Sequence, residues 1–275
     1  MIPIGMSTTC VYPLPPADAF REAAEVGFDG VEVMVTQEET TQDASALLAL
    51  ADRHGLPVLS IHAPVLLLTH FVWGRDPRVK LERTAALARD TGADTVVVHP
   101  PFRWQAGYAE QFLDIVREIS GEYGVHIAVE NMFPWRVAGR NMKAYAPGPD
   151  PRAMDCDAVT LDFSHAALSG VDGREFAREV GGRLRHIHLC DGSGSSDDGR
   201  IFDEHLLPGR GTQPVAETLR DLADAGWDGQ VAAEVNTRKA RTEDERLELL
   251  RETLDFARLH TAPRPVASPV ADEPD

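Results

Sequence analysis

The feature that most constrains this chain is a phrase it repeats. Gly27-Phe28-Asp29-Gly30-Val31-Glu32-Val33, Gly92-Ala93-Asp94-Thr95-Val96-Val97-Val98 and Gly226-Trp227-Asp228-Gly229-Gln230-Val231 are variants of one pattern. An amphipathic run ends on glycine, a polar turn follows, and a short valine-rich run begins. His54-Gly55-Leu56-Pro57-Val58-Leu59-Ser60 and Tyr123-Gly124-Val125-His126-Ile127-Ala128-Val129 are looser copies. A glycine closing a helix in the left-handed conformation, followed by a strand buried on both faces, produces such a phrase. Eight short β-like runs recur, at residues 4–7, 30–34, 58–62, 95–99, 126–130, 159–162, 185–188 and 230–234. Between most of them, apolar residues spaced by three and four predict helices over 18–26, 43–53, 78–91, 109–122, 214–225 and 243–260. A weaker helical pattern covers 166–180, and 133–157 reads mostly as loop. Eight strands alternating with helices predict an α/β protein with a (β/α)8 TIM barrel, for which about 250 residues is typical. A doubly wound open sheet is the alternative. The expected organisation is one barrel domain over residues 1–260 and a disordered tail over 261–275, where Pro and acidic residues replace any apolar period.

The barrel gives a second pattern its meaning. Six of the runs end on a residue that binds metals or protons: His62, His99, Glu130, Asp162, His188 and Glu234. Successive gaps of 37, 31, 32, 26 and 46 residues are each close to one strand-helix unit. Parallel strands would deliver all six side chains to one end, the C-terminal mouth where barrel enzymes place their sites. Ionisable groups ringed by apolar walls are costly unless paired, and a shared cation removes that cost. Imidazole with carboxylate suits Zn²⁺, while Mn²⁺, Co²⁺ or Mg²⁺ gain as carboxylates dominate. Loops just past the strands add His165, in Asp162-Phe163-Ser164-His165, and Asp203 and His205, in Asp203-Glu204-His205. Nine potential ligands suffice for one to three ions. Taken singly, each has a blander explanation: a lone histidine is more often hydrogen-bonded core, and Asp162 suits a helix N-cap. His126, His186, His54, His70 and His260 keep that blander assignment, and Cys190 reads as a small buried thiol.

These residues carry a resemblance. Val129-Glu130-Asn131, Leu161-Asp162-Phe163-Ser164-His165, His186-Ile187-His188-Leu189-Cys190-Asp191, Asp203-Glu204-His205-Leu206-Leu207-Pro208-Gly209-Arg210-Gly211 and Ala233-Glu234 resemble the xylose-isomerase-like barrels. That superfamily includes sugar and sugar-phosphate isomerases and epimerases, inosose dehydratases and endonuclease IV. The resemblance implies one of two chemistries. In the epimerase branch, one divalent ion lies on Glu130, Asp162, His188 and Glu234; it stabilises an enediolate while Glu130 and Glu234 act as acid and base. In the endonuclease IV branch, three zincs would use all nine ligands to hydrolyse a phosphodiester. His62, His99 and Glu130 would hold the first, with Glu130 bridging to the second on Asp162, His188 and Glu234; His165, Asp203 and His205 would hold the third.

Charge helps to choose between the branches. With 44 acidic against 27 basic residues the net charge is −17, and Arg103, Arg136, Arg140, Lys143 and Arg210 are the only basic residues near the expected mouth. A long nucleic acid needs a dense set of Lys and Arg, so it is disfavoured as a partner. A small polyhydroxylated or phosphorylated substrate ranks first, abasic-site endonuclease activity second, and a non-catalytic metal-binding barrel third. The expected substrate contacts are Arg103 and Trp104, after His99; Arg210, between two glycines; and Glu32, as a hydroxyl partner unless it pairs with an arginine. Gly192-Ser193-Gly194-Ser195-Ser196 lacks the third glycine and the helix of a dinucleotide site, so no nucleotide cofactor is expected. The longest apolar stretch falls far short of the roughly 20 residues of a bilayer span. The first ten residues lack a signal-peptide pattern, and Cys10, Cys156 and Cys190 form no C-x-x-C pair. A cytoplasmic chain is expected, able to pair with a second copy through its mouth loops.

Overall fold

The computed structural model describes residues 1–64, 71–137, 140–142, 144–194 and 203–262. His70, Lys143, Ser195 and Ser196 of the glycine-serine run and the expected tail from residue 263 lie outside the described residues, as do the side chains of Arg136 and Arg140. The order of elements is β1 (Ile4–Ser7), α1 (Pro16–Val26), β2 (Gly30–Met34), α2 (Ala44–His54), β3 (Val58–His62), α3 (Pro77–Thr91), β4 (Thr95–Val98), α4 (Ala106–Tyr123) and β5 (His126–Glu130). A hairpin of β6 (Trp135–Val137) and β7 (Arg140–Met142) follows. Then come β8 (Ala158–Asp162), α5 (Phe163–Ser169), α6 (Gly173–Val180), β9 (Leu184–Leu189), α7 (Val215–Asp224), β10 (Gln230–Ala233) and α8 (Glu243–Thr261). The strands other than β6 and β7 close a barrel in the order β1-β10-β9-β8-β5-β4-β3-β2, every neighbour parallel.

The repeated phrase has the physical origin the sequence implied. Gly27, Gly55, Gly92, Gly124 and Gly226 all have positive φ, between 65° and 95°, where a side chain would be strained. Each turns the chain back so that the next strand starts alongside its predecessor. Strand residues of one parity then face outward under the helices: Val31, Val33, Ile61, Val96, Val98, Ile127, Val129, Val159, Leu161 and Ile187 are buried in one core with Phe20, Leu47, Leu81, Phe112, Phe176, Leu219 and Leu250. Each such large side chain stabilises the fold by about 1.5–3 kcal/mol through burial. The opposite parity faces the barrel axis and carries the polar residues.

Two local expectations change. The weak helical pattern over 166–180 is two helices, because Gly170 (φ 68°) caps α5 and the Asp172 carboxylate accepts from Glu175 N to start α6. The stretch expected as loop contains the β6–β7 hairpin, paired from Trp135↔Met142 to Val137↔Arg140. None of the described helices is long and apolar enough to cross a membrane.

Candidate functional site

Alternate residues of the strands stack inside the barrel in two polar levels. Ser60 and His62 are two apart on β3, as are His186 and His188 on β9 and Thr160 and Asp162 on β8, so each pair shares the inward face. At the mouth, His62, Glu130, Asp162 and His188 are the inward residues at the ends of their strands. His99 and Glu234 follow β4 and β10 by one residue. The structure brings all nine expected ligands to this one place.

Glu130 is its centre. Its Oε2 lies 2.9 Å from His99 Nε2 and 3.3 Å from His62 Nε2, and its Oε1 lies 3.0 Å from His188 Nδ1 and 3.2 Å from His165 Nδ1. His188 Nδ1 is also 3.0 Å from Glu234 Oε2 and 3.6 Å from Asp162 Oδ2. One donor atom each from Glu130, Asp162, His188 and Glu234 fall within 4.8 Å of one another; so do those of His62, His99 and Glu130, and those of Asp162, His165 and His205. Asp203 belongs to the third group, its Oδ2 lying 2.9 Å from His165 Nε2 and 2.8 Å from His205 Nε2. Asp162 caps α5 and still faces the cluster: Oδ1 accepts from His165 N at 2.7 Å as the N-cap, while Oδ2 faces His188. Asn131 fixes Asp162 further, exchanging two hydrogen bonds with its backbone. His205 holds φ at 43°, a conformation uncommon outside glycine and typical of constrained functional positions.

The charges are strongly interdependent. Burial alone would push the Glu130 carboxyl up, but the His188 and His99 imidazoles outweigh it and hold the group well below the usual carboxylate range. Burial works against charge on His188 too; there Glu234, Glu32 and Glu130 prevail and raise it well above an ordinary histidine. His205 is raised to about 10, with Asp203 the largest influence opposing burial. Burial wins at His99 and at His186, which are both lowered and whose Nδ1 atoms have no hydrogen-bond partner among the described residues.

The expected substrate contacts fare differently. Trp104 stacks on Phe102 (4.3 Å, 7°) and lines a cleft of about 400 Å³ that reaches His99. Arg103, one residue earlier, is exposed and lines a neighbouring cleft with Glu110, Asp114 and Asp155. The Arg210 guanidinium pairs with Glu252 of α8 at 2.6 Å. The anion reached by the glycine-flanked backbone is the protein's own Asp191 carboxylate, which accepts from Gly192, Gly209, Gly211 and Gln213 N at 2.8–3.1 Å. Glu32 is a correction. It pairs with no arginine among the described residues and lies fully buried below the mouth, bonded to Ser60, His186 and His188. His186, assigned to the core by sequence, belongs to this lower level. Thr9 was also missed; its hydroxyl donates to Glu234 Oε1 at 3.2 Å. Its position just after β1, matching that of the ligands after other strands, was the available signal.

A barrel with its ionisable residues gathered at the strand ends is now matched by relationship. The family described as xylose isomerase-like TIM barrel matches residues 20–260. The chain belongs to that family. Within it, the chain is 46% identical over 278 residues to an uncharacterized protein of Mycobacterium tuberculosis, covering 94% of this chain and 98% of that one. It is 25% identical over 260 residues to fructoselysine 3-epimerase of Escherichia coli O157:H7, covering 85% and 90%. Among solved structures, the 3-keto-D-glucoside 4-epimerase from E. coli shares the xylose isomerase-like fold, with TM-score 0.67, 17% identity and coverage of 94% and 100%. Relatives and structural neighbours of this chain thus include sugar epimerases.

Proposed function

We propose that this chain is a divalent-metal-dependent isomerase or epimerase of a small polyhydroxylated or phosphorylated sugar. The observation that carries the reading is the convergence of Glu130, Asp162, His188 and Glu234, three carboxylates and an imidazole with donor atoms within 4.8 Å. That donor set fits a divalent ion, and the added imidazoles nearby favour Zn²⁺ over Mn²⁺ or Co²⁺. An ion held there would polarise a ketose carbonyl and its neighbouring hydroxyl, lowering the cost of removing the proton between them. Glu130 and Glu234 stand on β5 and just after β10, with β8 and β9 between them, and so approach a substrate from different sides. One would take the proton and the other return it on the opposite face. Thr9 holds Glu234 Oε1, and Trp104 flanks the approach past His99. The epimerase named among the relatives supports the same class of chemistry.

A second reading, a three-zinc phosphodiesterase, is favoured by one observation: two further donor groups, around His62–His99 and around His165–His205, flank the first. Elemental analysis of the purified protein separates the readings. One ion per chain, with exchange of a ketose C–H proton into D₂O, supports the epimerase. Three zincs with cleavage of an abasic-site duplex support the hydrolase, and a protein that takes up no divalent metal overturns both.

A further inference from the structure

Beneath the mouth, against His188, lies a buried group with no place in the chemistry above. Glu32, Ser60 and His186 are each no more than 1% exposed and lie one level below the residues at the strand ends. Glu32 Oε1 lies 3.0 Å from His188 Nε2. Glu32 Oε2 lies 3.1 Å from His186 Nε2 and accepts from the Ser60 hydroxyl at 2.8 Å. The His186 and His188 rings meet edge to face, centroids 5.0 Å apart. Both oxygens of the carboxylate are therefore fixed, one by two neighbours and one by His188 alone. Glu32, His186 and His188 are close enough to hold an ion among themselves. That arrangement would require His188 to give both ring nitrogens to metals, and the contacts of 3.0–3.1 Å are already those of hydrogen bonds.

We infer that Glu32 is a positioning residue that sets the tautomer and ring orientation of His188 for metal binding, with Ser60 and His186 holding Glu32 in turn. The inference rests on the metal-centre reading of the mouth. A neutral imidazole carries one N–H, and both nitrogens of His188 face carboxylates; a cation among Glu130, Asp162 and Glu234 would need the lone pair of Nδ1, which leaves the N–H on Nε2 against Glu32. Nε2–H then donates to Glu32, and the lone pair of Nδ1 faces Glu130, Asp162 and Glu234. A ring free of Glu32 is also free to place its proton on Nδ1, which removes the donor from the mouth. Carboxylates in this relation to a ligating histidine raise its basicity as well as orient it.

The test is Co²⁺ binding, followed by the visible absorption of the ion, in the full-length protein and in Glu32→Gln. Glu32→Gln is expected to bind about 10–100-fold more weakly, with a shifted spectrum and an unchanged far-ultraviolet circular dichroism. Equal affinity and an unshifted spectrum in Glu32→Gln would overturn the inference while leaving the metal centre standing. A wild-type protein that binds no Co²⁺ overturns the metal centre and this inference with it. Should Glu32→Gln fail to fold, ¹⁵N NMR of the zinc-loaded wild-type chain decides without a substitution. His188 with the proton on Nε2 and zinc on Nδ1 supports the assignment, and the reverse arrangement overturns it.

Discussion

Glu130 and Glu234 are the same residue at matching points of the barrel, yet the walls around them differ. Around Glu130, both oxygens are occupied by imidazoles: His62 and His99 on one, His165 and His188 on the other. Around Glu234, Oε2 meets His188 at 3.0 Å, while Oε1 meets only the Thr9 hydroxyl at 3.2 Å. The Glu234 side chain is 9% exposed and that of Glu130 1%. The difference teaches that a shared place in the donor cluster does not imply a shared proton role. Glu234 Oε1 has no second hydrogen-bond partner among the described residues, and in the proposed reaction it could take a proton without breaking another contact. Glu130 can do so only if an imidazole contact opens. In the proposed two-glutamate reaction, Glu130 would have to release an imidazole before its turn, whereas Glu234 would not.

Substitution of the two glutamates gives the largest expected effects and is the most direct way to break this contrast. Glu234→Gln, at saturating metal, is expected to lower C–H exchange of a ketose substrate by ~10²–10⁴-fold, the usual contribution of a general acid or base. Glu130→Gln is expected to act first on metal content. Losing one of four ligands from a site worth ~10–16 kcal/mol removes roughly 3 kcal/mol, or about 10²-fold in affinity. Isotope exchange and elemental analysis on both variants check the pair. Were Glu130→Gln to keep its metal and lose exchange as fully as Glu234→Gln, the two walls would be equivalent and the distinction wrong.

A smaller effect is expected in the third donor group, where Asp203 Oδ2 receives both His165 and His205. In the metal-free protein His205 titrates near 10, above the ordinary value of 6.5. Its contribution to stability is therefore fully present below about pH 6.5 and is lost as pH rises through about 10. Metal binding must displace that proton, so affinity should rise with pH over the same window, about tenfold per pH unit for each proton released. Calorimetry in buffers of different ionisation enthalpy counts the protons. Asp203→Asn should lower the count and flatten the slope; an unchanged count would remove this group from the metal centre.

The same walls show what a sequence can carry. The glycines that end helices and the ionisable residues that end strands are local features, and a parallel barrel converts equal position in the repeat into nearness in space. That is why nine scattered residues were legible as one cluster. Glu32 was not, because its depth depends on the stagger between strands. Its partner across β2 and β3 is Ser60, after a register shift between Val31 and Glu32. His186 shares its parity with His188 and differs only in level. The surroundings of Arg210 were not legible for a related reason. The Asp191 carboxylate that fills the glycine turn lies 18–22 residues away in the chain, and only the path of the loop brings them together.

Arg210 also supplies the smallest expected effect. Its ion pair with Glu252 joins side chains that are 50% and 49% exposed, and such pairs contribute ~0–1 kcal/mol. Arg210→Ala should therefore leave melting temperature and KM nearly unchanged, even for a phosphorylated sugar. Asp191→Ala should behave oppositely, since it leaves four backbone N–H groups without their acceptor next to the loop that carries Asp203 and His205. Thermal melts and KM for phosphorylated and plain sugars, measured on both variants, test the assignment. A KM for the phosphorylated sugar that rose tenfold in Arg210→Ala alone would place a phosphate at the glycine turn. It would also mean that the Glu252 pair opens when substrate arrives, returning that turn to the wall that meets the ligand.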